Sequence, residues 1–301
     1  MNRRRLVRLS LPALAALTLP LLAQAPPAGP SEEEKQIGLI REAIADGNLE
    51  EASARGEKAM AASPKSSRLK TWTARAYAAR AVEAQDVARV HYGHRADTLF
   101  LEAISLDPAN VEARLDLLTL LLRGAGLRGR DVPAAEKQAG EIFRIDPALG
   151  HVARGLLLED GSKLDAAGAE YRAAFALRPG VARVYVPLVD FEARSGRYEA
   201  ATEVCAKAQK ATSDLLPTYL MARLAYQFSR DLEKALDWLD AFLARPPALE
   251  SPSHADAHWR KGKILEKLGR VPAAKAEYEA ALALVPGHRE SERELARLTA
   301  P

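Results

Sequence analysis

His254 and His258 stand four residues apart with Asp256 between them. On a helix that spacing sets two imidazoles on one face and could begin a divalent-metal site. No third or fourth ligand follows nearby, and His258 falls where a packing residue is needed, so no metal is expected. His91 and His94 flank Tyr92-Gly93 and lack further ligands in the same way. Cys205 is the only cysteine. Paired with a distant histidine it could act as a nucleophile, but its place in the pattern described next makes it a core residue. A lone thiol in an oxidising compartment is best buried. No H-E-x-x-H, G-x-S-x-G, Walker loop or paired-cysteine motif occurs. The sequence therefore supports no catalytic residue and no cofactor, and an enzyme is not expected.

The order in the chain lies elsewhere. Ala52, Ala96, Ala135, Ala167, Ala201, Ala235 and Ala274 recur at a spacing of 32 to 44 residues. Pro64, Pro108, Pro147, Pro179, Pro247 and Pro286 each follow one of them by twelve residues; Ser213 stands in that place after Ala201. A period near 34 residues with such a signature indicates a helical repeat array. In the unit from Ala148 to Val181, Gly155 and Leu158 mark a first helix, and Asp160-Gly161-Ser162-Lys163 breaks it. Leu164 to Leu177 follows, with Ala167, Tyr171 and Ala174 on one helical stripe. The small residues let two backbones approach, Tyr171 fills the groove beside them, and Pro179 stops the helix. A single pair cannot bury its stripe and must stack on neighbours.

These units resemble the tetratricopeptide repeat family. The resemblance rests on Tyr219, Tyr226, Ala235, Leu239 and Pro247 in 216–249, and on Gly262, Leu265, Ala274, Tyr278, Ala281 and Pro286 in 255–288. In 182–215 it rests on Tyr185, Leu188, Gly196-Arg197-Tyr198, Ala201, Cys205 and Ala208. Weaker copies cover 33–66, 67–110 and 111–149. Ala222 falls one position early, and Phe242 is large where a small residue is usual. The resemblance implies an all-α fold: a right-handed α-solenoid of about seven helix pairs over 32–301, with a charged C-terminal helix from His288 to Leu298 as a cap. Two copies are stretched, one around His91-Tyr92-Gly93-His94 and one through Arg123 to Asp131, and inserts in such arrays usually form loops. The glycine-rich insert could bind anions through its backbone, but a solvated connector accounts for it as well.

The N-terminus is read as a leader. Arg3, Arg4, Arg5 and Arg8 precede an apolar stretch from Leu9 to Ala23, and Ala23-Gln24-Ala25 is an A-x-A site. This is the pattern of a secretory signal peptide, residues 1–25. A tether over 26–31 follows, and Ser31 then caps the first helix with Glu32, Glu33 and Glu34 in its first turn. The whole chain has 43 basic against 40 acidic side chains, and removing the four leader arginines leaves 39 against 40. That near-neutral balance gives no reason to expect nucleic acid as partner, and no membrane span is expected once the leader is gone.

By the same resemblance, inward positions of the first helices form a concave groove. They are Thr71 and Arg75, Leu115 and Thr119, Val152 and Leu156, Val186 and Asp190, Leu220 and Leu224, and Trp259 and Lys263. Family members that clamp a terminal carboxylate use Lys and Asn here, which this chain mostly lacks. The groove is apolar in its middle and charged at its ends, which suits a peptide or helix of a protein partner. Alternatively, the chain's own C-terminal helix or a tight superhelical curl covers it. The expected function is that of a periplasmic or secreted scaffold or adaptor in a cell-envelope assembly. The rival is an accessory module of a peptidoglycan or polysaccharide enzyme system.

Overall fold

A computed structural model describes residues 31–124, 129–246 and 251–299. The leader, the tether before Ser31, Pro247 and the centre of the glycine-rich insert lie outside the described residues. Those described form fifteen α-helices and no strand. Seven antiparallel pairs follow one another: α1 (Glu32–Ala45) with α2 (Leu49–Ala62), α3 (Ser67–Glu83) with α4 (Asp86–Leu106), and α5 (Val111–Arg123) with α6 (Val132–Ile145). Then come α7 (Pro147–Asp160) with α8 (Leu164–Leu177), α9 (Ala182–Arg194) with α10 (Tyr198–Ala211), α11 (Leu216–Phe228) with α12 (Leu232–Leu243), and α13 (His254–Lys267) with α14 (Val271–Leu284). A last helix, α15 (Arg289–Thr299), closes the array. Each helix packs mainly on its sequence neighbours, as in an α-solenoid.

Local chemistry sets the helix ends. Ser31 and Glu34 form a reciprocal capping box on α1, satisfying two backbone donors that the first turn leaves open. Ser253 and Asp256 do the same on α13. In four of the pairs the turn has a residue with positive φ five positions before the buried alanine. Gly47, Gly196 and Gly269 supply it without a steric penalty, whereas in the fourth pair Ser162 holds φ 59°.

All seven periodic alanines are fully buried. They sit on the second helix of each pair, where a methyl group leaves room for a neighbouring backbone. Glycine serves the same end on α7 and α13. A Cβ on Gly155 would meet the Tyr171 ring at 2.4 Å, and one on Gly262 would meet the Tyr278 ring at 2.4 Å. Both tyrosines are buried, and each donates its hydroxyl to a glutamate of the paired helix: Tyr171 to Glu159 at 2.8 Å and Tyr278 to Glu266. Cys205 is wholly buried in the core, and burial pushes its thiol up to about 12, so it stays protonated. Phe242, the large residue where a small one is usual, is buried with its ring tilted against Tyr219 at 5.3 Å.

The first insert is not a loop. Its residues lengthen the α3–α4 hairpin, and His91 to His94 lie inside the 21-residue helix α4. The segment contains no proline, and its one glycine, Gly93, is buried within the helix. Arg80 stacks on Tyr92 at 4.1 Å, and Arg95 bonds Glu57 of α2, which ties the longer hairpin to its neighbour. The second insert does leave helix: Gly124 caps α5 in the left-handed conformation, and Asp131 caps α6.

Candidate functional site

The first helices of successive pairs line a concave trench of about 510 Å³. Its floor comes from Leu115 and Thr119 of α5, Val152 and Leu156 of α7, and Val186 of α9. These five expected groove residues meet in one place. Arg75 of α3 joins them. Trp72, also of α3, lies between two guanidinium groups, with Arg75 at 4.1 Å and Arg41 of α1 at 4.6 Å from its ring centre. Such stacking fixes the cations in place.

A charge network stiffens this wall. Arg75 donates Nε–H to Asp116 at 2.6 Å and an Nη2–H to Glu112 at 2.8 Å. Arg183, from two pairs further on, donates to the other oxygen of Asp116 at 2.7 Å. Burial alone would raise the Asp116 pKa, but the two guanidinium groups outweigh it and hold the carboxyl below its usual range. Asp116 thus links α3, α5 and α9 through a single ionised side chain.

The rest of the expected groove is placed differently. Thr71 is buried, donating to the Ser67 carbonyl at 2.9 Å and accepting from Asn110 at 3.0 Å. Trp72, one residue and about 100° further round the helix, takes the trench position instead. Asp190 is paired with Arg223. Leu220 and Leu224 do not line the trench; both are buried in the main core. The reason lies in α11, where every residue from Leu216 to Ala225 except Arg223 is buried. A helix that is apolar nearly all round has no face to offer solvent. Trp259 packs on the Leu265, Ala274 and Tyr278 cluster, and so do Leu295 and Leu298 of α15. Lys263 pairs with Glu294 of α15 at 3.1 Å. The C-terminal end of the groove is therefore covered by the chain's own last helix, while its middle stays open.

Arg41, Trp72 and Arg183 were missing from the groove read in the sequence. Arg41 and Arg183 occupy inward positions of their units, so the repeat phase contains the signal for both. For Trp72 it does not, because its place in the unit is not one of the inward positions.

His254 and His258 do not converge on a common partner. His254 Nε2 lies 2.9 Å from the Arg245 carbonyl, and His258 Nδ1 lies 2.6 Å from Glu277. Among the described residues, no group of three or more His, Cys, Asp or Glu side chains could hold a metal ion. Among them too, no helix is long and apolar enough to cross a membrane.

Residues 152–215 and 219–289 match the tetratricopeptide repeat family. No curated protein matches the chain. Among solved structures, the human IFIT1 dimer with m7Gppp-AAAA is similar over 83% of this chain and 59% of its own, at 14% identity and a TM-score of 0.56. Yeast Tom70 is similar over 93% of this chain and 59% of its own, at 16% identity and a TM-score of 0.55. The chain thus spans under two thirds of either of these proteins. At such identities the likeness concerns the fold, which is that of a tetratricopeptide repeat solenoid.

Proposed function

We propose that this chain is a scaffold or adaptor that holds a segment of a partner protein in the trench between α3 and α9, within a cell-envelope assembly reached by export through its N-terminal leader. The observation that carries the reading is the open, preorganised trench itself. Its apolar floor, in which Leu156 and Val186 are half-buried and Leu115 and Val152 buried, spans three helix pairs, and its wall is fixed by the Asp116 network. Concave apolar sites with a few placed polar groups are where ligands bind. The export part rests on the basic, apolar and A-x-A pattern of residues 3–25.

The test is a pull-down from an envelope fraction with the parent chain and with Leu156→Glu, which puts a charge on the trench floor. A protein captured by the parent and lost with the variant supports the reading. A partner retained equally by both places the binding face elsewhere and rejects it.

A further inference from the structure

The two ends of the coil meet beside the trench. Ile44 and Ala45, at the end of α1, border it together with Leu216 of α11 and Ser251, just before α13. Charged residues next to these in the chain join the ends. His288, ahead of α15, is 4% exposed. Its Nδ1 lies 2.9 Å from the Ser291 hydroxyl and its Nε2 lies 3.5 Å from Asp256 in the first turn of α13. Asp46, which follows Ala45 and caps α1, acts on the same imidazole from the other end of the array. Beside it Arg289 reaches Glu83 of α3. From this arrangement we propose that the His288 junction is a pH-operated gate on the mouth of the trench. An imidazolium between Asp46 and Asp256 draws the ends of the coil together and narrows the mouth, and a neutral imidazole lets them part and widens it for a partner. The proposal rests on the trench being the binding face, and it adds how access to that face is regulated.

The junction is built to part. α15 packs on the cluster of Leu265, Ala274 and Tyr278, whereas Ala43 of α1 and Ala52 of α2 pack with Ala76 of α3. A cavity of about 650 Å³ lies between the first turn and the last helix, lined by Gly47, Asn48 and Leu49 on one side and by Arg289 on the other. Separating the ends therefore breaks polar contacts without splitting a shared apolar cluster, and openings of that kind come at low cost. The charges decide the direction. The carboxylates acting on His288 are Asp256 of α13, Asp46 at the end of α1 and Glu290 of its own helix. Glu42 and Glu51 add negative potential beside Asp46. Arg289 is occupied by Glu83, and its charge is constant. Burial raises the Asp46 pKa, and repulsion from Glu42 and Asp256 adds to the rise, so the two ends repel once the imidazolium is gone. The bond to Asp256, against burial, raises the His288 pKa. The attraction is thus complete below the value of the parted state, about 6.5, and is lost as pH climbs through the value of the closed one.

The test reads access to the trench floor in the whole chain, as the rate at which Thr119→Cys reacts with a polyethylene-glycol maleimide. Thr119 lines the trench, and the native thiol, Cys205, is wholly buried. Placing the introduced thiol in the parent and in His288→Asn cancels the pH dependence of the thiol itself. Asparagine can still accept from the Ser291 backbone N–H, as His288 does, but carries no charge, so its junction stays parted. The rate in the parent relative to His288→Asn should rise about fivefold or more from about pH 5.5 to about pH 8. Asp46→Asn, on neither α13 nor α15, should flatten that rise. If His288→Asn loses helix by circular dichroism, the ratio of parent to Asp46→Asn takes its place and should rise in the same direction. A ratio that stays constant with pH would overturn the gate. So would a rise that Asp46→Asn leaves intact, because it would then come from α15 alone. No partner enters this measurement. A trench that opens with pH yet captures no protein leaves the gate standing and rejects the binding reading, and a captured protein with a constant ratio does the reverse.

Discussion

Gly155 and Tyr171 are in contact so close that no side chain fits between them: a Cβ on the glycine would stand 2.4 Å from Cε1 of the ring. The glycine costs helix stability, since its backbone loses more freedom than alanine's on folding. The array accepts that cost because the ring needs the space. Gly140 on α6 is the contrast, exposed and with nothing within 4 Å of such a Cβ. Gly155→Ala should therefore destabilise by about 1–3 kcal/mol through overpacking. Gly140→Ala should stabilise by about 0.5–1 kcal/mol. Urea unfolding of both variants measures the two signs, and like signs would refute the packing account.

Ser162 marks a second local cost. It holds φ 59° at the place where three other pairs have glycine. A side chain in the left-handed region costs about 1–2 kcal/mol. Ser162→Gly should recover about 1 kcal/mol of this after the extra freedom glycine has in the unfolded chain. Thermal unfolding should show a higher midpoint. A lower one would mean that the serine side chain contributes more than its backbone costs.

Docking of α15 should depend on pH through His288 and Asp256. The two are 3.5 Å apart, and His288 also meets Ser291 at 2.9 Å. The bond to Asp256 raises the His288 pKa, with burial opposing; Glu290 and Asp46 add to the rise. A raised histidine stabilises fully below its unfolded pKa, about 6.5, and that stabilisation is lost as pH climbs through the folded value. For Asp256, burial works towards a higher pKa, but bonds from His288 and Ser253 prevail and lower it. Its contribution is present above about 3.9 and is lost as pH falls through the folded value. Protection of α15 amides in hydrogen exchange, corrected for intrinsic rates, should thus be greatest between about pH 4 and 6.5. In His288→Asn the alkaline loss should disappear. An unchanged alkaline loss would assign it to another group.

The leader makes a prediction independent of the fold. If the Ala23-Gln24-Ala25 site is used, the exported protein begins at or near Pro26. Amino-terminal sequencing from an envelope fraction reads this directly, and an intact Met1 there would count against export by cleavage.

What the sequence disclosed follows from what packing demands. Ala52 through Ala274 could be read because helix crossings tolerate only small residues, and every one of them is buried. Tyr171 was legible as the filler of the groove beside the small residues for the same reason. The groove was legible at Arg75 and from Leu115 to Val186. It failed at Thr71, which is buried and bonded to Ser67 and Asn110, and at Leu220 and Leu224, on a helix with apolar residues on almost every side. That last property was present in the sequence as a run from Leu216 to Tyr226 interrupted only by Thr218 and Arg223. Coverage of Trp259 and Lys263 depends on where α15 settles, which no local spacing encodes. The helical insert was misjudged because a period counts extra residues without saying whether they bend or continue a helix.

Arg289, at the start of α15, reaches Glu83 at the end of α3, 206 residues earlier, at 3.1 Å. In a linear stack the outermost units fray first, each having one neighbour instead of two. Here the last unit returns to touch the second, so each end of the coil lends the other a contact that linear order denies it. The contact is an exposed ion pair, worth about 0–1 kcal/mol and weakened by salt. It acts as a light clasp on the curvature of the whole coil. Any partner that straightens the array must first undo it, and ionic strength sets how readily it opens.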